Sequence, residues 1–284
     1  MSIELTTLSQ SSLQDYNDCP RRFELRHLQR LAYPAIETEP ALENEKHQHE
    51  GEYFHRLVQQ YFIGIPAGQI SKLANTGSLQ QWWENFANSK DLTGLRDLTG
   101  FRTEHTLSAP LGAFRLIAKY DLIASDGNKF FIYDWKTYRK RPKNEWLAIR
   151  WQTRVYRALL VRAGAHLNGG KPIQPEQVEM VYWFSEFPND PARFPYQADQ
   201  FKRDWDALTR LAEEIKSGLR HGPAGQNSAS AYPKTDDTTK CLYCPYRSYC
   251  NRGSRAGDAL DAELESEAEE LFDINFEQIG EIEF

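Results

Sequence analysis

The sequence predicts a mixed α/β fold in which helices flank a central mixed sheet. Three observations carry that expectation. Strand-like alternation is concentrated in the middle of the chain, in "AFRLIAKYDLIA", "KFFIYDW" and "VEMVYWF". Helix-period apolar residues precede, separate and follow those runs. With 40% apolar and 13% aromatic residues in a chain of 284, there is ample material for a core.

Residues 11–30 read as a helix capped by Ser11 or Ser12, with Leu13, Tyr16, Phe23 and Leu25 as its apolar contacts. A polar connection, "ETEPALENEKHQHE", leads to a second helix over 51–62. There Phe54, Leu57, Val58 and Tyr61 form an apolar stripe with His55 at its edge. Residues 64–100 are mixed, helical near "LQQWWENF". Strand alternation starts near 101 and runs through the segments already quoted, with a helix over about 145–163 between the second and third. "DQFKRDWDALTRLAEEIKSGL" is a further helix ending at Gly218, and a loop then delivers the chain to "CLYCPYRSYC".

The net charge of −6 conceals two regions of opposite sign. Residues 258–284 hold eleven acidic residues and no Lys or Arg, so residues 1–257 carry 34 basic against 29 acidic groups, or +5. The expected organisation is one domain over 1–257, with an acidic, disordered tail over 258–284. A mildly basic body is compatible with a nucleic-acid partner. No run approaches the roughly 18–20 apolar residues that span a bilayer. "MSIELTTLSQSS" has neither the basic start nor the apolar run of a secretory signal. A cytoplasmic location follows as the expectation, and it disfavours structural disulfides.

Residues 113–137 are the most informative. "SDGN" at 125–128 is a turn signal, and a tight turn on Asp126-Gly127 would set Asp121 opposite Ile132. Asp121, Ile132, Asp134 and Lys136 then share one face of a hairpin. Asp121 and Asp134 become diagonal neighbours, roughly 7–8 Å apart at the backbone. Two carboxylates so placed can reach one hard divalent cation, with Lys136 beside them. Solvated charges on an exposed sheet face are the bland alternative; Ile123, Phe130 and Ile132 on that face oppose it.

The chain has four cysteines, and three lie in "CLYCPYRSYC"; the fourth is Cys19, in "DYNDCPRRFEL". Four thiolates suit a tetrahedral zinc or a cubane iron–sulfur cluster, and spacing alone leaves both open.

Asp121 followed by "DWKT" at 134–137 resembles the D…DxK core of the PD-(D/E)XK nucleases, in particular the RecB-type nuclease domain. "SSLQDYNDCPRRFEL" is similar to that group's N-terminal Cys-Pro-Arg helix, "GEYFH" to its Gly-x-x-x-His segment and "QTRVY" to its Gln-x-x-x-Tyr helix. "CLYCPYRSYC" resembles the C-terminal box of the iron–sulfur subgroup, which includes AddB-type nuclease domains and small CRISPR-associated exonucleases. One position departs: Ala118 stands where the family often has glycine, and alanine is small enough to fit.

The resemblance implies a restriction-endonuclease-like core and a metal-dependent deoxyribonuclease, expected as an exonuclease preferring single-stranded ends. It implies Asp121, Asp134, the Trp135 carbonyl and His55 as ligands of Mg²⁺ or Mn²⁺, with Glu104 as a further carboxylate. Lys136 would orient the attacking water and offset phosphate charge; Gln152 and Tyr156 would line the site. It also implies a [4Fe–4S] cluster on Cys19, Cys241, Cys244 and Cys250, with zinc as the alternative, clamping segments 11–30 and 238–253 together. DNA repair or recombination and CRISPR adaptation are the pathways it opens. No P-loop is present in the sequence, so unwinding would need a helicase partner. The reading from another class is a cluster- or zinc-bearing DNA-binding subunit without cleavage.

Other residues are weighed on their own. Arg150, Arg154 and Arg157 face away from Gln152 and read as a solvated stripe. "YRKRPK" at 138–143 follows the catalytic strand and is the better backbone-contact candidate. Trp82, Trp83, Trp146 and Trp151 read as core residues, with base stacking as the sharper alternative.

Overall fold

A computed structural model describes residues 5–31, 39–98, 100–221, 231–242 and 244–253. The acidic segment 258–284 lies outside the described residues. Strand β1 (Thr7–Leu8) leads into helix α1 (Gln10–Asp18). The cap is Ser9 rather than Ser11 or Ser12: its hydroxyl accepts from the Ser12 amide while the Ser12 hydroxyl accepts from the Ser9 amide. The expected continuous helix over 11–30 is broken at Cys19, which is extended (φ −161°, ψ 106°). Pro20 disfavours the helical conformation in the residue before it. The chain resumes as α2 (Pro20–Phe23) and a π-helical turn over Glu24–Leu28.

The second helix is longer than its apolar stripe: α3 runs Glu39–Phe62, taking in most of the segment read as a polar connection. After the short α4 (Ala67–Ile70), α5 (Gly77–Asn88) carries Trp82 and Trp83 into the core, as expected, and α6 (Lys90–Thr93) follows.

The sheet comprises β2 (Gly100–Leu111), β3 (Phe114–Ser125), β4 (Phe130–Lys136), β5 (Val178–Phe184), β6 (Phe187–Pro195) and β1. Its order is β1-β3-β4-β5-β6 with β2 also on β3. Pairs β1–β3 and β4–β5 are parallel and the rest antiparallel, so the sheet is mixed as predicted. The parallel β4–β5 pair needs a crossover. Helices α7 (Asn144–Ile149) and α8 (Trp151–Ala163) supply it, split at an extended Arg150 where one helix was expected. Strand β6 escaped the sequence reading because it contains Pro188, Pro191 and Pro195; at the end of the sheet order, missing amide donors are tolerated. Helix α9 (Ala198–His221) passes through Gly218 instead of stopping there. That glycine makes room for Tyr232, whose ring would lie 2.6 Å from an added Cβ.

Two cores sandwich the sheet. Leu13, Phe23, Val155, Leu159, Leu208 and Ile215 build one against α1, α8 and α9. Phe54, Leu57, Val58, Trp82, Trp83 and Phe86 build the other against α3 and α5. A small third cluster joins Leu25 to Cys244 and Tyr246, bringing the chain's distant segments together.

Candidate active site

Strands β3 and β4 pair only near their turn, from Ser125↔Phe130 to Leu122↔Tyr133, and then separate. On the same side of β3, β1 occupies Arg115 and Leu116. Asp121 is therefore the first residue beyond the fork, on a stretch of edge between two partner strands. Its Oδ2 accepts the Trp135 amide at 2.8 Å, closing the fork with a side chain where a strand backbone would otherwise bond.

The register differs by two residues from the expected one. Ile123, not Asp121, faces Ile132, because the turn spans Asp126–Lys129 and is tied by Asp126 Oδ1 to the amides of Asn128 and Lys129. A shift of two preserves faces. Continuing the register sets Asp121 opposite Asp134, closer than the predicted diagonal.

The alternation of β3 also breaks at this point. Leu116, Ala118 and Tyr120 pack in the α8-side core, whereas Leu122 and Ala124 pack in the α3-side core. The ladder to β2 skips the Asp121–Glu104 step, and Glu104 has φ +51°. Asp121 is reached by His55 from α3 and Asp134 by Gln152 from α8.

Around that pair the side chains are buried and connected. Asp121, Asp134 and Lys136 are 5%, 1% and 2% exposed. Lys136 Nζ lies 2.8 Å from Asp134 Oδ2, and Gln152 Nε2 donates to Asp134 Oδ1 at 2.7 Å. From α3, His55 Nδ1 comes within 3.4 Å of Asp121 Oδ2. Thr153 Oγ1 donates to the Leu147 carbonyl and so accepts from the Tyr182 hydroxyl at 2.8 Å, while the Asp134 carboxylate, which only accepts, fixes the Gln152 amide with its nitrogen toward it. Tyr156 is buried beside this group.

Burial is the largest influence on each titrating group here, and the neighbours decide the outcome. Burial raises Asp134 to about 6, with the Lys136 ammonium opposing and the Asp121 charge reinforcing the rise. Asp121 is lowered: burial works to raise it, but the His55 imidazolium outweighs that. Burial works against a charged His55, yet Asp121 and then Asp134 carry it up to about 9. Burial and the Asp134 charge hold the Tyr156 phenol well above its ordinary value, so it stays neutral. The two carboxylates thus face two cations, Lys136 and His55.

The sequence-predicted residues Asp121, Asp134, Lys136, His55, Gln152 and Tyr156 come together. Trp135 contributes its amide, while its indole stacks in the α3-side core. Glu104 is held by Lys119 at 2.5 Å, near enough to Asp121 that burial and that charge raise its carboxyl. Sequence reasoning missed His47, Thr153 and Tyr182. His47 precedes Gly51 by four residues and His55 by eight, a helical repeat that extends the quoted Gly-x-x-x-His segment backwards.

The sequence model of the PD-(D/E)XK nuclease superfamily matches residues 7–251. The chain belongs to this superfamily. Among solved structures, the chain is similar to SSO0001, at 18% identity over 88% of each chain with a TM-score of 0.40. It is also similar to a candidate exonuclease from Eubacterium rectale, at 13% identity over 79% of this chain and 91% of that one with a TM-score of 0.45. No curated protein matches.

As a PD-(D/E)XK nuclease the chain places its D…DxK residues on β3 and β4. Among the described residues no three His, Cys, Asp or Glu side chains converge tightly enough to chelate an ion unaided. A divalent ion at the carboxylate pair would need water or substrate oxygens to complete its shell, which is how Mg²⁺ is ordinarily held.

Two surface readings change. Arg154 and Arg157 are not solvated: Arg154 pairs with Asp204 at 2.6 Å over the Trp151 ring, and Arg157 is 4% exposed against Tyr196. Both are mortar between α8 and α9. In the 138–143 loop Arg141 is tied to Asp190 and Asn144, and Arg139, Lys140 and Lys143 are exposed.

Cys19, Cys241, Cys244 and Cys250 are free thiols and line one cavity together with Arg22, Lys234, Lys240, Arg247 and Arg252. Burial pushes the Cys244 thiol up to about 11 and also raises Cys250. Arg252 Nη1 lies 3.5 Å from Cys241 Sγ. The walls are joined by Arg21 N–H to the Pro233 carbonyl, Tyr246 hydroxyl to the Leu31 carbonyl, and Lys240 to Asp18. Among the described residues no helix is long and apolar enough to cross a membrane.

Proposed function

We propose that this PD-(D/E)XK nuclease is a divalent-metal-dependent deoxyribonuclease that acts as an exonuclease on single-stranded ends. The observation that carries the reading is the buried Asp121–Asp134–Lys136 group at the strand fork, with His55 from α3 completing it. Hard oxygen donors and one imidazole suit Mg²⁺ or Mn²⁺, the nitrogen favouring Mn²⁺. Asp121, Asp134, His55 and the Trp135 carbonyl would hold the ion, with Glu104 beyond Asp121. When bound, the ion supplies Lewis-acid polarisation of the phosphate and activation of water.

The chain's own residues do the rest. Lys136 places a positive charge beside Asp134, where it orients water and offsets charge building on the phosphate. Gln152 donates to Asp134 and holds it in one orientation. The exposed Arg139, Lys140 and Lys143 follow the catalytic strand directly and would track the DNA backbone.

The cysteines are read as ligands of a [4Fe–4S] cluster, zinc being the alternative. Four thiols on one cavity ringed by five cations support a bound group of net negative charge. Its role would be to clamp the segment around Cys19 to the C-terminal box, with residues 1–257 acting as one domain. Helicase and CRISPR-adaptation partners belong to the same reading and rest on the motif order alone, as does a cytoplasmic location.

The test is digestion of end-labelled single-stranded DNA with Mn²⁺ by the parent and by Asp134→Asn. Nucleotides released progressively from an end by the parent, and no product from the variant at the Mn²⁺ concentration that just saturates the parent, are expected. A parent that binds DNA without cutting it would leave the DNA-binding-subunit reading in place.

A further inference from the structure

His47 is buried, lies outside the D…DxK group, and has no part in the chemistry described above. Its Nε2 is 2.8 Å from the carbonyl oxygen of Thr137, ninety residues away. A carbonyl only accepts, so Nε2 carries the proton. The ring stands edge-on to Trp82, with centroids 5.1 Å apart, which locks its orientation. Thr137 directly follows Lys136 and is itself 1% exposed.

One turn further along α3, Gly51 meets the same residue. A Cβ there would lie 2.9 Å from Thr137 Oγ1, so only a hydrogen at this position allows the helix so close. A further turn brings His55 to Asp121. His47, Gly51 and His55 recur every fourth residue and fall within about 80° of the helix circumference. Three successive turns of α3 thus meet Thr137, just past the end of β4, and Asp121 on β3.

We propose that His47 is a positioning residue for the nuclease site: its hydrogen bond to the Thr137 carbonyl docks α3 on the end of β4 and so sets His55 at Asp121. The inference rests on the proposed nuclease function only for its consequence in catalysis; the docking itself is independent of it. A loosened α3 would carry His55 away from the carboxylate pair, and small misplacements of such groups cost up to about 10²-fold in rate.

The variants are His47→Phe, which keeps an aromatic ring against Trp82 without a donor, and His47→Gln, which restores an N–H. Gly51→Ala pushes the helix off Thr137 while leaving His47 intact. Three readouts apply to each: Mn²⁺ affinity of the DNA-free protein by calorimetry, kcat and KM on single-stranded DNA, and the thermal midpoint. His47→Phe is expected to weaken Mn²⁺ binding several-fold and lower kcat by about 10–100-fold with KM for DNA unchanged. His47→Gln should recover most of both losses, and Gly51→Ala should reproduce the Phe phenotype. Parent-like Mn²⁺ affinity and kcat in whichever of His47→Phe and Gly51→Ala remains folded overturns the proposal. So does a loss in thermal midpoint alone. If both unfold, a His47→Gln that folds but matches neither parental Mn²⁺ affinity nor parental kcat also overturns it, and one that matches both supports it. A parent that binds Mn²⁺ and cuts no DNA defeats the nuclease reading instead, and the calorimetric comparison still decides the role of His47.

Discussion

Asp15 and Asp134 are both buried carboxylates, and they titrate in opposite directions because of what faces them. Asp15 has Arg22 Nε at 2.5 Å, His27 at 2.8 Å and Arg26 at 3.7 Å, and these outweigh its burial to hold it well below the usual range. A lowered folded value contributes stability that is complete above the unfolded carboxylate pKa of about 3.9 and is lost as pH falls below it. The thermal midpoint should therefore drop steeply below about pH 4, and an Asp15→Asn variant should show a shallower drop. The same substitution leaves Arg22 buried without its closest anion and should cost about 3–5 kcal/mol at neutral pH by denaturant titration. Asp134 has one lysine at 2.8 Å and a second carboxylate beside it, and its burial outweighs the lysine to raise it. Lys136→Ala should lower kcat by about 10²–10³ while Mn²⁺ binding survives, and raising Mn²⁺ should not restore it. Asp134→Asn, by contrast, should respond partly to high Mn²⁺. Equal rescue of both variants would mean that Lys136 acts only by organising the metal site.

Helix and strand breaks, more than the regular stretches, aim the functional groups. The Cys19–Pro20 break ends α1 and turns Cys19 toward the C-terminal box. The break at Arg150 starts α8 afresh, with the Trp151 amide bonded to Gln14, and puts Gln152 in the first turn beside Asp134. The skipped step between Glu104 and Asp121 turns β3 over. Gly218 is an opposite case, a helix-breaking residue that does not break its helix because Tyr232 crosses it and donates its hydroxyl to the Ile215 carbonyl. Gly218→Ala should gain helix propensity but force a methyl into that ring. Overpacking costs about 1–3 kcal/mol against a propensity gain of about 1 kcal/mol, so a net loss in denaturant midpoint is expected. A gain would show that Tyr232 swings aside freely.

At the scale of the whole molecule, the segments near Cys19 and Cys241 meet through hydrogen bonds and a small apolar cluster, and their four cysteines line one cavity. If a cluster occupies the cavity, freshly purified protein should be brown and carry about four irons per chain. Removing any one of the four cysteines should then lower the thermal midpoint, because a ligand set with one member missing no longer couples the two segments. Colourless protein with one zinc would assign the cavity to zinc with the same structural role. The acidic segment 258–284 opposes a basic body of +5. If it competes with DNA, deleting it should tighten binding at low salt, with the difference fading as salt screens the charges. Equal affinity at both salts would leave the segment without a role in DNA binding.

Periodicity made the strands β3, β4 and β5 and the helices α3, α5 and α9 legible, because burying one face imposes a repeat on the residues themselves. The face shared by Asp121, Asp134 and Lys136 was legible for the same reason, and it survived a two-residue error in register since strand faces repeat every two residues. That Cys19 would share one site with Cys241, Cys244 and Cys250 was an expectation from residue count and resemblance, and the fold places the four on the lining of one cavity. The Arg21, Tyr246 and Lys240 contacts that join those segments were visible only in the fold. What the sequence could not contain locally was each residue's partner. Whether Arg157 faces water or Tyr196, whether Glu104 is held by Lys119, and whether His47 finds the Thr137 carbonyl all depend on contacts between distant segments. Such contacts leave no mark on the spacing of neighbouring residues, and they are what turns a row of charges on one strand into a site held in one geometry.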